Sequence, residues 1–113
     1  MKPDNIFKTI PENLNQEYFD HLVQSEHVSI ERIISKGHRS PEAGWYEQCR
    51  DEWVIVLQGA AIITFESGDQ AHLQAGDHIN IPALCKHRVP WTEPDRETIW
   101  LAVHYVSSDT QKS

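Results

Sequence analysis

Glu52 and His87 are the two side chains whose type and setting give this chain of 113 residues chemistry to do. Glu52 heads the apolar run Trp53 to Leu57 (WVIVL). A carboxylate pointing inward there is costly unless a cation or a hydrogen-bond donor meets it. His87 follows a proline-bounded loop and opens another strand-like run, with Val89 and Trp91 on its own face by two-residue alternation. Neutral imidazole is the commonest metal ligand, and carboxylates are frequent companions to it. Ahead of Glu52, in WYEQC, alternation places Tyr46 with Gln48 on one face and Trp45 with Glu47 on the other. Gln48 is expected to face inward beside Tyr46, an aromatic–amide pair suited to a polar organic ligand. Glu47 is the alternative, and its carboxylate is the stronger metal ligand. Trp91 and Trp100 are candidate walls of a pocket, and His104, alternating with Trp100 and Ala102, is a further candidate lining residue. His38 sits in a loop ahead of this region, whereas His21, His27, His72 and His78 read as surface or turn residues.

The elements that must position these groups are short strands. From Val28 the apolar period is two, and turns recur at Gly59-Ala60, Ser67-Gly68-Asp69, Ala75-Gly76-Asp77 and Glu93-Pro94-Asp95. Close turn spacing between Val-, Ile- and Trp-rich runs predicts an all-β sandwich or barrel. The segment KGHRSPEAG must be a loop, and TIWLAVHYV, apolar on both faces, suits a central strand or a subunit interface. Before Val28, Leu14, Tyr18, Phe19, Leu22 and Val23 recur at helical spacing, and Asn13 with Gln16 resembles a capping box, so a short helix is expected there. The predicted division is one domain: an arm and helix over 1–27, a barrel over 28–106 and a polar tail over 107–113.

Glu52 with Gly59, and then Gly76, Pro82 and His87, match the skeleton of two motifs that define the cupins. From about Val28 to Tyr105 the chain resembles that superfamily, and it is most similar to small single-domain members with a WY-acid-Q…DEWV stretch and an HRV-x-W-T stretch. The resemblance implies an antiparallel jelly-roll β-barrel whose mouth holds a divalent metal such as Mn, Fe, Ni or Zn. Glu52 and His87 would be ligands, joined by Gln48 or, alternatively, Glu47. The H-x-H pair of the first motif is absent: its two registers hold Trp45 and Glu47, or Tyr46 and Gln48. Leu84 and Trp91 replace a glycine and an asparagine of the second motif.

Composition narrows the classes. A formal net charge of -7 argues against nucleic acid or an anionic membrane as partner. No apolar run is long enough to span a bilayer, and MKPDNIFKTIPEN lacks the apolar centre of a signal peptide, so a cytoplasmic location is expected. Cys49 and Cys85 form no C-x-x-C and read as reduced thiols, although a thiolate ligand at Cys85 is conceivable from its parity with His87. Phosphate loops and nucleophile elbows are missing. Two functions remain open: metal-assisted chemistry on a small polar substrate, or a metal-free pocket that binds or senses a small molecule. The apolar last strand and N-terminal arm predict a homodimer.

Overall fold

The structure, a computed structural model, describes residues 1–107. Eight strands follow in order: β1 (Tyr18–Gln24), β2 (Val28–Ser35), β3 (Asp51–Gln58), β4 (Ala60–Phe65), β5 (Gln70–Gln74), β6 (His78–Ile81), β7 (His87–Thr92) and β8 (Thr98–Tyr105). They form a five-stranded sheet, β1-β2-β8-β3-β6, and a three-stranded sheet, β5-β4-β7, paired antiparallel throughout. The all-β expectation holds, and β8 is a central strand between β2 and β3. No described helix is long and apolar enough to cross a membrane. Most of the tail assigned to 107–113 lies outside the described residues.

The expected N-terminal helix is absent among the described residues. Tyr18–Gln24 is instead an edge strand paired with β2, from Tyr18 opposite Ile34 to Gln24 opposite Ser29. A short run such as Tyr18, Phe19, Leu22, Val23 satisfies both periods, and β2 offered a ladder of backbone partners that decided the outcome. A register shift between His21 and Val23 marks a bulge, which accounts for spacing that mimics a helix.

The segment before β1 is an arm, and one side chain fastens it. Arg32, 6% exposed, donates from Nη1 to the carbonyls of Ile6 and Lys8, from Nη2 to that of Thr9, and from Nε and Nη2 to Asp20. All five guanidinium N–H groups are thereby used. A groove of about 570 Å³ runs beside this arm, but its arginine has no donor left for a ligand.

Between the sheets lie Val54, Val56, Ile63, Ile81, Trp100 and Ala102, all buried. Each large aliphatic side chain buried this way contributes about 1.5–3 kcal/mol. Gly59 joins β3 to β4 with φ of 88°, and a Cβ there would stand 2.7 Å from Thr98 Cα. Only glycine fits both the left-handed backbone and that approach.

Candidate functional site

Alternation along β3 turns Glu52, Val54 and Val56 inward, and Glu52 is 9% exposed. β8 lies beside it with His104 directly opposite Glu52 and Trp100 opposite Val56. On the far side of β8, Ser29 of β2 faces His104 and Ile33 faces Trp100, so Glu31 between them shares the inner face. The other sheet supplies His87, at the start of β7 opposite Phe65 of β4. The loop ahead of β3 closes the arrangement. Tyr46 and His87 exchange both backbone hydrogen bonds, at 2.8 and 3.1 Å, and the Leu84 amide donates to the Gln48 carbonyl at 2.8 Å. These bonds splice the two sequence stretches that carry Glu52 and His87.

The polar groups converge on Glu52. Gln48 Nε2 donates to Glu52 Oε1 at 2.7 Å. His87 Nε2 stands 3.8 Å from the same oxygen, and His104 Nε2 stands 4.0 Å from Glu52 Oε2. The two imidazoles thus bracket the carboxylate. His87 Nδ1 lies 2.9 Å from the Cys85 carbonyl oxygen. A carbonyl only accepts, so Nδ1 carries the proton and a neutral His87 presents its Nε2 lone pair to the cavity. His104 Nε2 lies 3.2 Å from Glu31 Oε1, a carboxylate that likewise only accepts, and so carries its proton there. Behind these, Trp100 Nε1 donates to Ser35 Oγ at 3.3 Å, and the Ser35 hydroxyl donates to Glu17.

A cavity of about 340 Å³ opens onto this cluster. Of the residues singled out in the sequence, Tyr46, Gln48, Glu52, His87 and His104 line it. Glu47 lines it too, together with Gln48. The face-by-face choice between them fails because residues 47–50 are not in a strand, so strict alternation does not apply. Trp91 is a correction: it is 40% exposed and absent from the cavity wall. In the β4–β7 ladder Ile62 faces Trp91 and Thr64 faces Arg88, so Val89 and Pro90 together oppose Ile63. That bulge reverses the alternation, leaving Val89 on the cavity and turning Thr92, not Trp91, inward. Trp100, the other aromatic candidate, does line the cavity.

Glu17 and Glu31 are lining residues that sequence reasoning missed. Glu31 alternates with Ile30 and Arg32, and a charged residue on such a strand is ordinarily assigned to solvent. The signal that could have found it is the polar row Ser29, Glu31 and Ser35 on the face of Ile33. Of the remaining histidines, His38 Nδ1 accepts from the Lys36 amide at 2.9 Å, and His78 packs on Trp53 with ring centroids 5.4 Å apart. Cys85 takes part through its carbonyl, and both cysteines are free thiols.

The fold raises the question of a metal. Among the described residues no group of three or more His, Cys, Asp or Glu side chains is placed to hold an ion. Glu52 presents a different oxygen to each imidazole, and His104 is bonded to Glu31, so the side chains as they stand do not fit a common ion.

Comparison with solved structures agrees with the architecture. A protein of Ralstonia eutropha JMP134, provisionally named a mannose-6-phosphate isomerase, is 40% identical over 95% of this chain and all of that one, with a TM-score of 0.90. A cupin superfamily protein of Desulfitobacterium hafniense DCB-2 is 24% identical, covering 87% of this chain and 84% of that one, with a TM-score of 0.71. An RmlC-like cupin of Methanocaldococcus jannaschii with a double-stranded β-helix fold is 16% identical over 93% and 94% of the two chains, with a TM-score of 0.68. No family model and no curated protein matches. The chain has the fold of a small cupin domain.

Proposed function

We propose that this protein binds a small polar organic molecule in the barrel mouth. The observation that carries the proposal is the convergence of His87, His104 and Gln48 on Glu52 at an open cavity of about 340 Å³, a size suited to a small ligand. Apolar side chains such as Val54, Ile63 and Ile81 would take the carbon frame, and the polar cluster would orient it. The His87 lone pair could also accept a proton from a bound ligand, with Glu52 stabilising the resulting imidazolium. The provisional name of the Ralstonia protein suggests a sugar phosphate. No lysine or arginine is among the described residues lining this cavity, so the phosphate finds no cation to meet it.

The test is to follow the ring signals of His87 and His104 by NMR while small polar compounds are titrated. Binding should shift both sets and leave His72, exposed on β5, unmoved. Shifts distributed over all seven histidines would refute a defined site.

A second reading is a divalent-ion site, Mn, Fe, Ni or Zn, and the approach of both imidazoles to Glu52 favours it. It requires Gln48 and Glu31 to release their partners so that the donors close on one ion. Elemental analysis of tag-free protein after incubation with each metal tests it. Bound metal lost in His87→Ala supports an ion there, and metal-free protein eliminates it.

A further inference from the structure

The charge and hydrogen-bond character of the cavity specify a class of ligand. Four carboxylates line it, Glu17, Glu31, Glu47 and Glu52, with two histidines and no lysine or arginine among the described lining residues. Even with both imidazoles protonated, carboxylates outnumber them two to one. An anion entering this space would be repelled and would lose its hydration without compensation.

A second observation is independent of that count. His87 has a side chain only 8% exposed, and its Nε2 has no hydrogen-bond donor: Glu52 Oε1, at 3.8 Å, is itself an acceptor. Because Nδ1 is committed to the Cys85 carbonyl, Nε2 of the neutral ring offers a lone pair to whatever fills the cavity. The deep polar wall is therefore short of donors. A ligand that brings several N–H groups satisfies it, whereas the ionised phosphate group of a phosphate ester brings acceptors and negative charge to the same wall. Around this wall, Tyr46 and Phe19 present exposed rings at the cavity, and the face of an aromatic ring attracts a cation.

We infer that the cavity binds a small organic cation, a protonated aliphatic amine, with its ammonium among Glu31, Glu52 and His87 and its carbon frame on Ile33, Val54 and Trp100. This rests on the reading of the cavity as a small-molecule site and adds the class of molecule.

The experiment compares 1,4-diaminobutane, 1,4-butanediol and glucose 6-phosphate by isothermal calorimetry, with chelator present so that no metal contributes. The diamine should bind saturably and the diol at least about tenfold more weakly, since a hydrogen bond to a charged group is worth about 1.5–3 kcal/mol. Glu31→Gln and Glu52→Gln should each weaken diamine binding by about tenfold or more on the same ground. Glu47→Gln, in the loop ahead of β3, serves if a buried substitution unfolds the protein, as checked by thermal melting. Glu66→Gln, on an exposed carboxylate outside the cavity, should leave binding unchanged. Equal weakening by Glu66→Gln would reduce the effect to surface counterion binding and overturn the inference. If the diol or the phosphate ester moves the His87 ring signals and the diamine does not, the cation assignment falls and the cavity stands. If no probe moves them, both fall.

Discussion

Gln48 and Glu52, four residues apart, are joined side chain to side chain at 2.7 Å, across the turn where the loop enters β3. The bond holds a nearly buried carboxylate in one rotamer and so sets where each of its oxygens meets an imidazole. Gln48→Leu should cost about 1–2 kcal/mol, the range for a lost hydrogen bond to a charged acceptor that retains some solvent. Urea unfolding measures it, and an unchanged midpoint would mean that the amide contributes nothing.

Gly59 makes the sharpest stability prediction. Gly59→Ala must place a methyl group 2.7 Å from Thr98 Cα while holding φ near 88°. The backbone strain alone is about 1–3 kcal/mol, and the overlap adds to it. Gly68→Ala, with positive φ but open space around it, should cost less. Melting temperatures in the reverse order would contradict the packing described at the β3–β4 junction.

Trp91→Ala should change stability by less than about 1 kcal/mol and leave ligand binding unaffected, because the side chain is exposed on the outer side of β7. Trp100→Ala, buried at 5% exposure and lining the cavity, should cost about 3–5 kcal/mol. Chemical denaturation of the two variants separates them.

The outer face of the five-stranded sheet carries Ile30, Trp53, Ile55, Leu101 and Val103, apolar and only half-buried. We expect this face to pair with a second copy of the chain, since a sheet face of this kind is covered in most stable proteins. Light scattering at tens of micromolar should give about twice the 13.0 kDa chain mass. A value at the chain mass would exclude it.

How far the sequence could be read depends on where alternation survives. β2, β3 and β8 hold their period along most of their length, so the barrel strands and the inward Glu52 and His104 were legible. The register shifts in three of the ladders, and two of those bulges misled. The one in β1 gave apolar spacing that imitates a helix, and the one in β7 sent Trp91 outward. Neither is visible as a pattern, because one extra residue in a ladder is defined only by the strand across from it. Glu31 was hidden for another reason. The β2 face that a polarity rule assigns to solvent is the cavity face, and Ile30 and Ile34 lie on the face where Arg32 binds the arm.

The link from Trp100 through Ser35 to Glu17 gives the protein a built-in optical signal. The other three tryptophans, Trp45, Trp53 and Trp91, are partly or wholly open to water, whereas the Trp100 indole is buried and its N–H is bonded to a hydroxyl that Glu17 in turn holds. Its emission should sit to the blue of the rest and resist quenching by iodide. A molecule that displaces Glu17 from Ser35 would alter that one component and leave the other three unchanged.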